Sequence, residues 1–110
     1  MPPILQLRKE EQALHALLFT QAQYKNYIPV KSDSLLQIAE AYYRTSSDSL
    51  HKAWTLFYLA QYYRDSDEKE KALSYFQQAN IASRNIENNQ FKFLLNLHWA
   101  GLLTNEDAYE

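Results

Sequence analysis

The apolar residues of this chain recur three, four and seven positions apart in five segments, which is the spacing of one face of an α-helix. Short polar clusters separate these segments. The first segment runs from about Glu10 to Tyr27 and ends before Pro29, because proline disfavours the helical conformation of the residue that precedes it. Its predicted core side consists of Leu14, Leu17 and Leu18, with Ala13, Ala16, Thr20 and Tyr24 beside them.

The second and third segments each follow a cluster of residues that can cap a helix. The second is predicted to begin at Ser32 or Asp33, whose side chains can accept from the free amides of a first turn. Its apolar face is Leu35, Ile38, Ala39 and Tyr42. The third follows the cluster Thr45 to Asp48, and its core face is Ala53, Leu56, Leu59, Ala60 and Tyr63. Since its opposite face is also apolar, we expect this helix to lie between neighbours.

The last two segments complete the pattern. The fourth is predicted to begin with a reciprocal cap between Asp67 and Glu70 and to end at Asn88-Asn89, because asparagine tolerates the left-handed conformation that glycine usually supplies. Its apolar stripe is Ala72, Tyr75, Phe76, Ala79, Ser83 and Ile86. The apolar face of the fifth is Phe91, Leu94, Leu95, His98, Trp99 and Leu102. The pattern predicts an all-α fold of about five helices, with antiparallel neighbours.

Composition supports this fold class and excludes several functions. The chain has 110 residues, which suits one domain, and a single glycine, which argues against multiple hairpin turns. A net charge of −2 disfavours nucleic-acid partners. The longest apolar run, Trp54 to Ala60, is too short to cross a bilayer, so we expect no direct membrane insertion.

The sequence lacks the patterns that carry common catalytic chemistry. There is no cysteine, and the histidines, His15, His51 and His98, fall on three predicted helices without the glutamate spacing of a zinc protease. We therefore predict no enzymatic activity, no metal ion and no cofactor. The alternative is an enzyme built in a helical bundle, in which His98 would cooperate with a carboxylate such as Glu40 or Glu87.

The order of small and large residues in the third and fourth segments resembles the tetratricopeptide repeat (TPR). The residues at its signature positions are Leu56, Leu59, Ala60, Tyr63, Ala72, Phe76 and Ala79. Arg84 replaces the closing proline, and Asp65-Ser66-Asp67 replaces the turn that usually contains glycine. The best repeat covers about residues 53–86, a degenerate copy about 10–45 and an incomplete copy about 90–110. The resemblance implies a TPR-like α-α hairpin superhelix in a single domain, 1–110.

The stretch from Leu17 to Tyr27 is also similar to the TPR regions of Bacteroidetes-type sensor and regulator proteins. That resemblance implies the sensing or interaction region of a larger signalling or regulatory protein, at an extracytoplasmic location. Because a helical hairpin needs neighbours to cover its apolar face, the incomplete last copy predicts that the chain is a fragment of a longer protein. It also predicts self-association through the fifth helix, by way of Phe91, Leu95, Trp99 and Leu102.

The resemblance further implies a concave groove lined by the first helix of each hairpin, which binds a protein or peptide segment. Periodicity places six candidates on the side of the third helix opposite its core face: Trp54, Phe57, Tyr58, Gln61, Arg64 and Asp65. By equivalence, the groove would continue through Ala22, Lys25 and Asn26 on the first helix, and through Leu97, Gly101, Thr104 and Asn105 on the fifth. The alternative for Trp54 and Phe57 is that they pack on neighbouring helices.

The expected occupant is an apolar or amphipathic segment. TPR domains that clamp a C-terminal carboxylate use lysine and asparagine at mid-helix positions. This chain has Leu18 and Ala22 there on one helix, and Phe57 and Gln61 on the next. The alternative to peptide binding is a purely architectural or dimerisation module whose groove holds no ligand.

Overall fold

The computed structural model describes the backbone of residues 4–108 and the side chains of residues 8–104. Its five helices are α1 (Ile4–Lys25), α2 (Ser34–Tyr43), α3 (Ser49–Asp65), α4 (Lys69–Ala82) and α5 (Asn89–Ala108). Within residues 4–108 there is no strand, so the all-α prediction is confirmed. The first helix begins six residues earlier than the sequence pattern predicted.

Helix α3 is the centre of the molecule. It contacts all four other helices, and the remaining contacts between helices join α1 to α2 and α4 to α5. Both of its faces are covered, since Leu59 and Ala60 are fully buried on one side and Phe57 and Tyr58 are almost fully buried on the other. The prediction of a central third helix is therefore confirmed.

Small residues allow α3 and α4 to approach closely. These two helices share the most extensive helix–helix interface. The buried alanines Ala53 and Ala60 of α3 and Ala72 and Ala79 of α4 let the backbones come together, while Phe76 fills the space between them. All seven residues at the TPR signature positions are buried: Leu56, Leu59, Ala60, Tyr63, Ala72, Phe76 and Ala79.

The apolar faces of α1 and α2 are rotated from those predicted. On α1 the buried residues include Ala13, Ala16 and Leu17, whereas Leu14 and Leu18 are exposed. On α2 the buried residues are Leu36, Ala39 and Tyr43, whereas Ile38 is 47% exposed and Leu35 and Tyr42 are partly buried. The cause is that α2 packs between α1 and α3, and the stripe that reaches both neighbours lies one residue away from the predicted one.

Helix α5 also buries a face that the sequence analysis expected to remain uncovered. Phe91 and Leu95 are fully buried, and the ring of Phe91 lies 4.8 Å from that of Trp54 on α3. Trp99 stacks on Phe76 of α4, and Leu102 is partly buried against the same core. Phe91 and Leu95 are therefore not exposed as expected, while Trp99 and Leu102 are partly covered; self-association through the fifth helix stays a prediction.

Two residues in the left-handed conformation end α1 and α3. Tyr27 has φ 56° and Asp67 has φ 63°. In each case the amide of that residue donates to the carbonyl three positions back, and the next amide donates to the carbonyl five positions back. This is the Schellman arrangement, which usually has glycine at the left-handed position. The predicted cap by Asp67 and Glu70 is wrong, since Asp67 ends α3 and no side chain caps α4.

The other predicted helix boundaries are confirmed only in part. As predicted, Asp48 caps α3 by accepting from the amide of His51 at 3.1 Å. Asn88 does not end α4; its Oδ1 accepts from the amide of Phe91 at 2.9 Å and caps α5 instead. Asp33 makes no side-chain cap on α2, because its carboxylate accepts from the hydroxyl of Tyr63. That hydrogen bond lowers the pKa of Asp33 and raises the pKa of Tyr63 to about 12.

The strain at Tyr27 leads to a prediction of increased stability. Tyr27 is 95% exposed, so its side chain contributes little packing, while a non-glycine residue in this conformation costs roughly 1–2 kcal/mol. We expect Tyr27→Gly to raise the free energy of unfolding by about 0.5–1 kcal/mol, after the greater entropy of glycine in the unfolded chain is subtracted. Urea denaturation followed by circular dichroism measures this change. Tyr27→Ala is the control and should give no gain; equal values for the two variants would contradict the prediction.

Candidate functional site

A groove with a volume of about 550 Å³ lies across α1, α3 and α5. Its walls come from these three helices and from the connection that follows α1. The lining residues are Tyr24, Lys25, Tyr27, Ile28, Pro29, Val30, Phe57, Tyr58, Gln61, Arg64, Asp65, Leu94 and His98. This volume falls within the range of sites that hold small ligands or single peptide side chains.

Helical spacing accounts for the way in which the groove is assembled. Phe57, Gln61 and Arg64 lie four and three positions apart and so share one face of α3. Leu94 and His98 lie four apart on α5 and face α3 across the groove. The left-handed turn at Tyr27 reverses the chain after α1, and this brings residues 28–30 back to form a wall.

The base of the groove is aromatic. The rings of Tyr24 and Tyr58 stack with centroids 5.3 Å apart, and the ring of Phe57 meets His98 edge to face at 5.5 Å. Tyr58 and Phe57 are also packed against the core, where they are 4% and 1% exposed. Because these rings are held by the core, the base of the groove is a rigid aromatic surface.

The polar edge of the groove consists of Arg64, Asp65 and His98. Nη1 of Arg64 donates to Nδ1 of His98 at 2.9 Å, and Nε of Arg64 lies 3.5 Å from Oδ1 of Asp65. Burial lowers the pKa of His98 and the positive charge of Arg64 lowers it further, although Asp65 acts in the opposite direction. His98 is therefore neutral at pH 7, with Nδ1 as the acceptor that fixes one side of the guanidinium.

The hydroxyl of Tyr24 is the one buried side-chain polar atom, among the side chains described, that has no hydrogen-bond partner. Burial raises the pKa of Tyr24, and the nearby carboxylate of Asp65 raises it further. Burial also raises the pKa of Tyr58. Both phenols are protonated at physiological pH, so each is able to donate a hydrogen bond.

The structure brings together part of the predicted site. Six of the sequence candidates line the groove: Lys25, Phe57, Tyr58, Gln61, Arg64 and Asp65. Trp54 does not line it, because its ring packs against Phe91 and Tyr58. For Trp54 the alternative of packing between helices is therefore the correct one, and for Phe57 both descriptions hold.

The other candidates lie elsewhere. Asn26 donates from Nδ2 to the carbonyl of Ala22 at 2.7 Å, and Thr104 donates from Oγ1 to the carbonyl of Ala100 at 2.7 Å, so each side chain is bonded to its own helix. Ala22, Leu97 and Gly101 are also not part of the lining. The side chain of Asn105 is outside the described residues.

Sequence reasoning missed Leu94 and His98 on α5, and it missed Tyr24, Tyr27 and the wall formed by residues 28–30. A signal for His98 was present, because it stands 34 positions after Arg64, which is the length of one TPR. A longer repeat offset for the fifth helix predicts the groove at Leu97, Gly101 and Thr104 instead. No comparable pattern marks residues 28–30, whose position depends on the left-handed turn at Tyr27.

Comparison with protein-family models, with curated proteins and with solved structures finds no match to this chain. Among the described residues, none of the helices combines the length and the apolar character that crossing a membrane requires. The same residues contain no group of three or more potential metal ligands.

Proposed function

We propose that this chain is a stack of TPR-like helical hairpins that binds an apolar or amphipathic peptide segment in the groove across α1, α3 and α5. The observation that carries the proposal is a recurring contact between residues 34 positions apart. Tyr24 stacks on Tyr58, the ring of Phe57 meets that of Phe91, and Arg64 donates to His98. A repeat of 34 residues is the period of TPR proteins, and equivalent residues of adjacent repeats lie side by side in such stacks.

The packing of the helices supports the same proposal. The odd-numbered helices contact one another in order, α1 with α3 and α3 with α5, as the first helices of successive hairpins would. Asp67 adopts a left-handed conformation in the turn between α3 and α4, where the TPR pattern usually has glycine. A left-handed residue at this turn supports the proposal, with aspartate in place of glycine.

The chemistry of the groove favours a peptide with both apolar and polar side chains. Phe57 and Leu94 offer an apolar surface. Nη1 of Arg64 donates to His98 and its Nε lies 3.5 Å from Oδ1 of Asp65, and Nη2 carries further N–H groups that can donate to a ligand acceptor. An amphipathic segment satisfies both, with apolar side chains on the base and a carbonyl or carboxylate at Arg64. In a larger signalling protein, at the extracytoplasmic location that the sequence resemblance implies, this would be the sensing or interaction region.

A charge reversal at Arg64 tests the use of the groove. Peptides selected from a random display library against the intact chain would be synthesised, and their affinities measured by calorimetry. We expect Arg64→Glu to weaken the affinity by about tenfold or more, because it removes the donor and repels acidic ligands. Arg64 is preferable to Tyr58 as a target, since Tyr58 is 4% exposed and its replacement would also disturb the core.

Arg84→Glu is the matched control, since it makes the same charge change at an exposed residue after α4 that does not line the groove. It should change the affinity by less than about twofold. Circular dichroism checks that both variants keep the helix content of the parent. If both variants lost the same affinity, or if Arg64→Glu lost none, the peptides would not bind in the groove and the proposal would be wrong.

The enzyme alternative remains a prediction with no observation in its favour. His98 is bonded to Arg64 and packed on Phe57, while Glu40 forms a salt bridge with Arg44 at 2.7 Å on α2.

A further inference from the structure

The outward face of α5 carries large apolar side chains, with Gln90 and Thr104 at its two ends, and no charged residue. Phe93 is 65% exposed and Leu97 is 55% exposed, and they lie four positions apart on one side of the helix. Ala100 and Thr104 continue the same face and are also exposed. No lysine, arginine, aspartate or glutamate lies on this face between residues 90 and 104. Surface helices normally carry charged residues on the side that faces water, so this face differs from an ordinary solvated one.

The same face is complementary to itself. Leu97 lies at its centre, with the large ring of Phe93 four residues before it and the small residues Ala100 and Gly101 three and four residues after it. A Cβ added at Gly101 would meet nothing within 4 Å, so the surface around Gly101 is open. In an antiparallel pair of such helices with Leu97 at the twofold axis, each Phe93 comes opposite the small residues of the other copy. A twofold interface requires this arrangement, in which one patch contains both the projection and the space that receives it.

We propose that two copies of this chain associate through antiparallel pairing of α5, with the two Leu97 side chains in contact at the twofold axis. The helix face between residues 90 and 104 is about 21 Å long, which limits the buried area to the lower end of specific interfaces. The dimer is therefore weak, with a dissociation constant of roughly micromolar to millimolar magnitude. His98, which lines the groove, lies about 100° around α5 from Leu97 and so outside the paired face.

Sedimentation equilibrium over about 10 µM to 1 mM protein tests whether this dimer forms. We expect the parent chain to shift from monomer to dimer within this range, and Phe93→Glu to raise the dissociation constant by about tenfold or more, because a carboxylate would be buried without a partner. Phe19→Glu is the matched control, since Phe19 is 49% exposed on α1, and it should leave the dissociation constant unchanged. A parent chain that remains monomeric at 1 mM, or a dimer that Phe93→Glu does not weaken, overturns the proposal.

Cysteine crosslinking tests the position of the twofold axis. The chain has no cysteine, so a single introduced thiol reports on its own surroundings. We expect Leu97→Cys to form a disulfide-linked dimer under mild oxidation, because the axis brings residue 97 of the two copies together. Ile81→Cys, at a residue that is 50% exposed on α4, should stay monomeric under the same conditions. Equal crosslinking of the two variants, or none at residue 97, shows that the copies do not pair in this way.

Discussion

Phe76→Ala is expected to lower the free energy of unfolding by about 3–5 kcal/mol, which is the usual cost of removing a buried phenylalanine ring. Phe76 is fully buried, and its ring contacts Phe57 of α3 and Trp99 of α5. The substitution opens a cavity where three helices meet, and the alanines around it cannot move in to fill the space. A domain of this size has a total stability of about 5–15 kcal/mol, so the variant will be close to unfolding. Urea denaturation monitored by circular dichroism gives the difference.

Phe93→Ala is the matched control, because it is the same substitution at a residue that is 65% exposed. Its effect on the unfolding of the monomer should stay within about 0.5 kcal/mol when measured at low protein concentration. Similar losses for Phe76→Ala and Phe93→Ala would contradict the helix packing described above.

The sequence was sufficient to predict the buried faces of α3 and α4 and the interface between them, although not the two ends of α4. Within one helix the 3.6-residue period leaves a single choice of buried face when alanines and large residues alternate cleanly, as in Leu56, Ala60 and Tyr63. The opposite face of α3 was predictable in part, since Trp54, Phe57 and Tyr58 make its first half apolar, whereas Gln61 and Arg64 on the same face left open whether these rings pack on other helices or line a groove.

Helices α1 and α2 show where this reasoning fails. The sequence of α2 contains two overlapping apolar stripes, one through Leu35 and Ile38 and the other through Leu36 and Tyr43. Periodicity alone does not choose between them. The choice depends on which side chains reach α1 and α3 together, and this is a property of tertiary packing. Leu14 and Leu18 of α1 are exposed for a similar reason, because the small residues Ala13 and Ala16 give a closer contact.

The groove was predictable on α3 and less so on its neighbours. Positions on one helix follow from local spacing, which correctly placed Phe57, Gln61 and Arg64 on the same wall. The prediction of the wall on α5 depends on the offset between repeats. An error of a few residues in that offset selects residues on a different side of the helix. The correct offset of 34 residues would have identified His98 from Arg64. The aromatic residue at the left-handed position, Tyr27, gave no advance signal, since tyrosine rarely adopts that conformation.

Leu95→Ala is expected to destabilise the protein by about 2–5 kcal/mol, because Leu95 is 1% exposed and anchors α5 to the rest of the core. Its neighbour two positions along, Leu97, is 55% exposed, so Leu97→Ala should cost less than about 0.5 kcal/mol at low protein concentration. The two variants remove the same atoms from opposite sides of one helix. Their difference therefore measures the orientation of α5 directly, by urea denaturation under identical conditions.

The same pair of variants connects the fold to the groove. Loss of the Leu95 side chain loosens α5, and α5 carries Leu94 and His98 into the groove opposite Arg64. We therefore expect amide hydrogen exchange to accelerate along α5 in Leu95→Ala, and to be unchanged in Leu97→Ala at low protein concentration. If the two variants had equal stabilities, Leu95 and Leu97 would be equally buried, and α5 would have to be rotated by roughly 80–100° from its position in this structure, which is half the angle between the two residues. In that orientation His98 would face away from Arg64, and the groove would lose the wall that α5 provides.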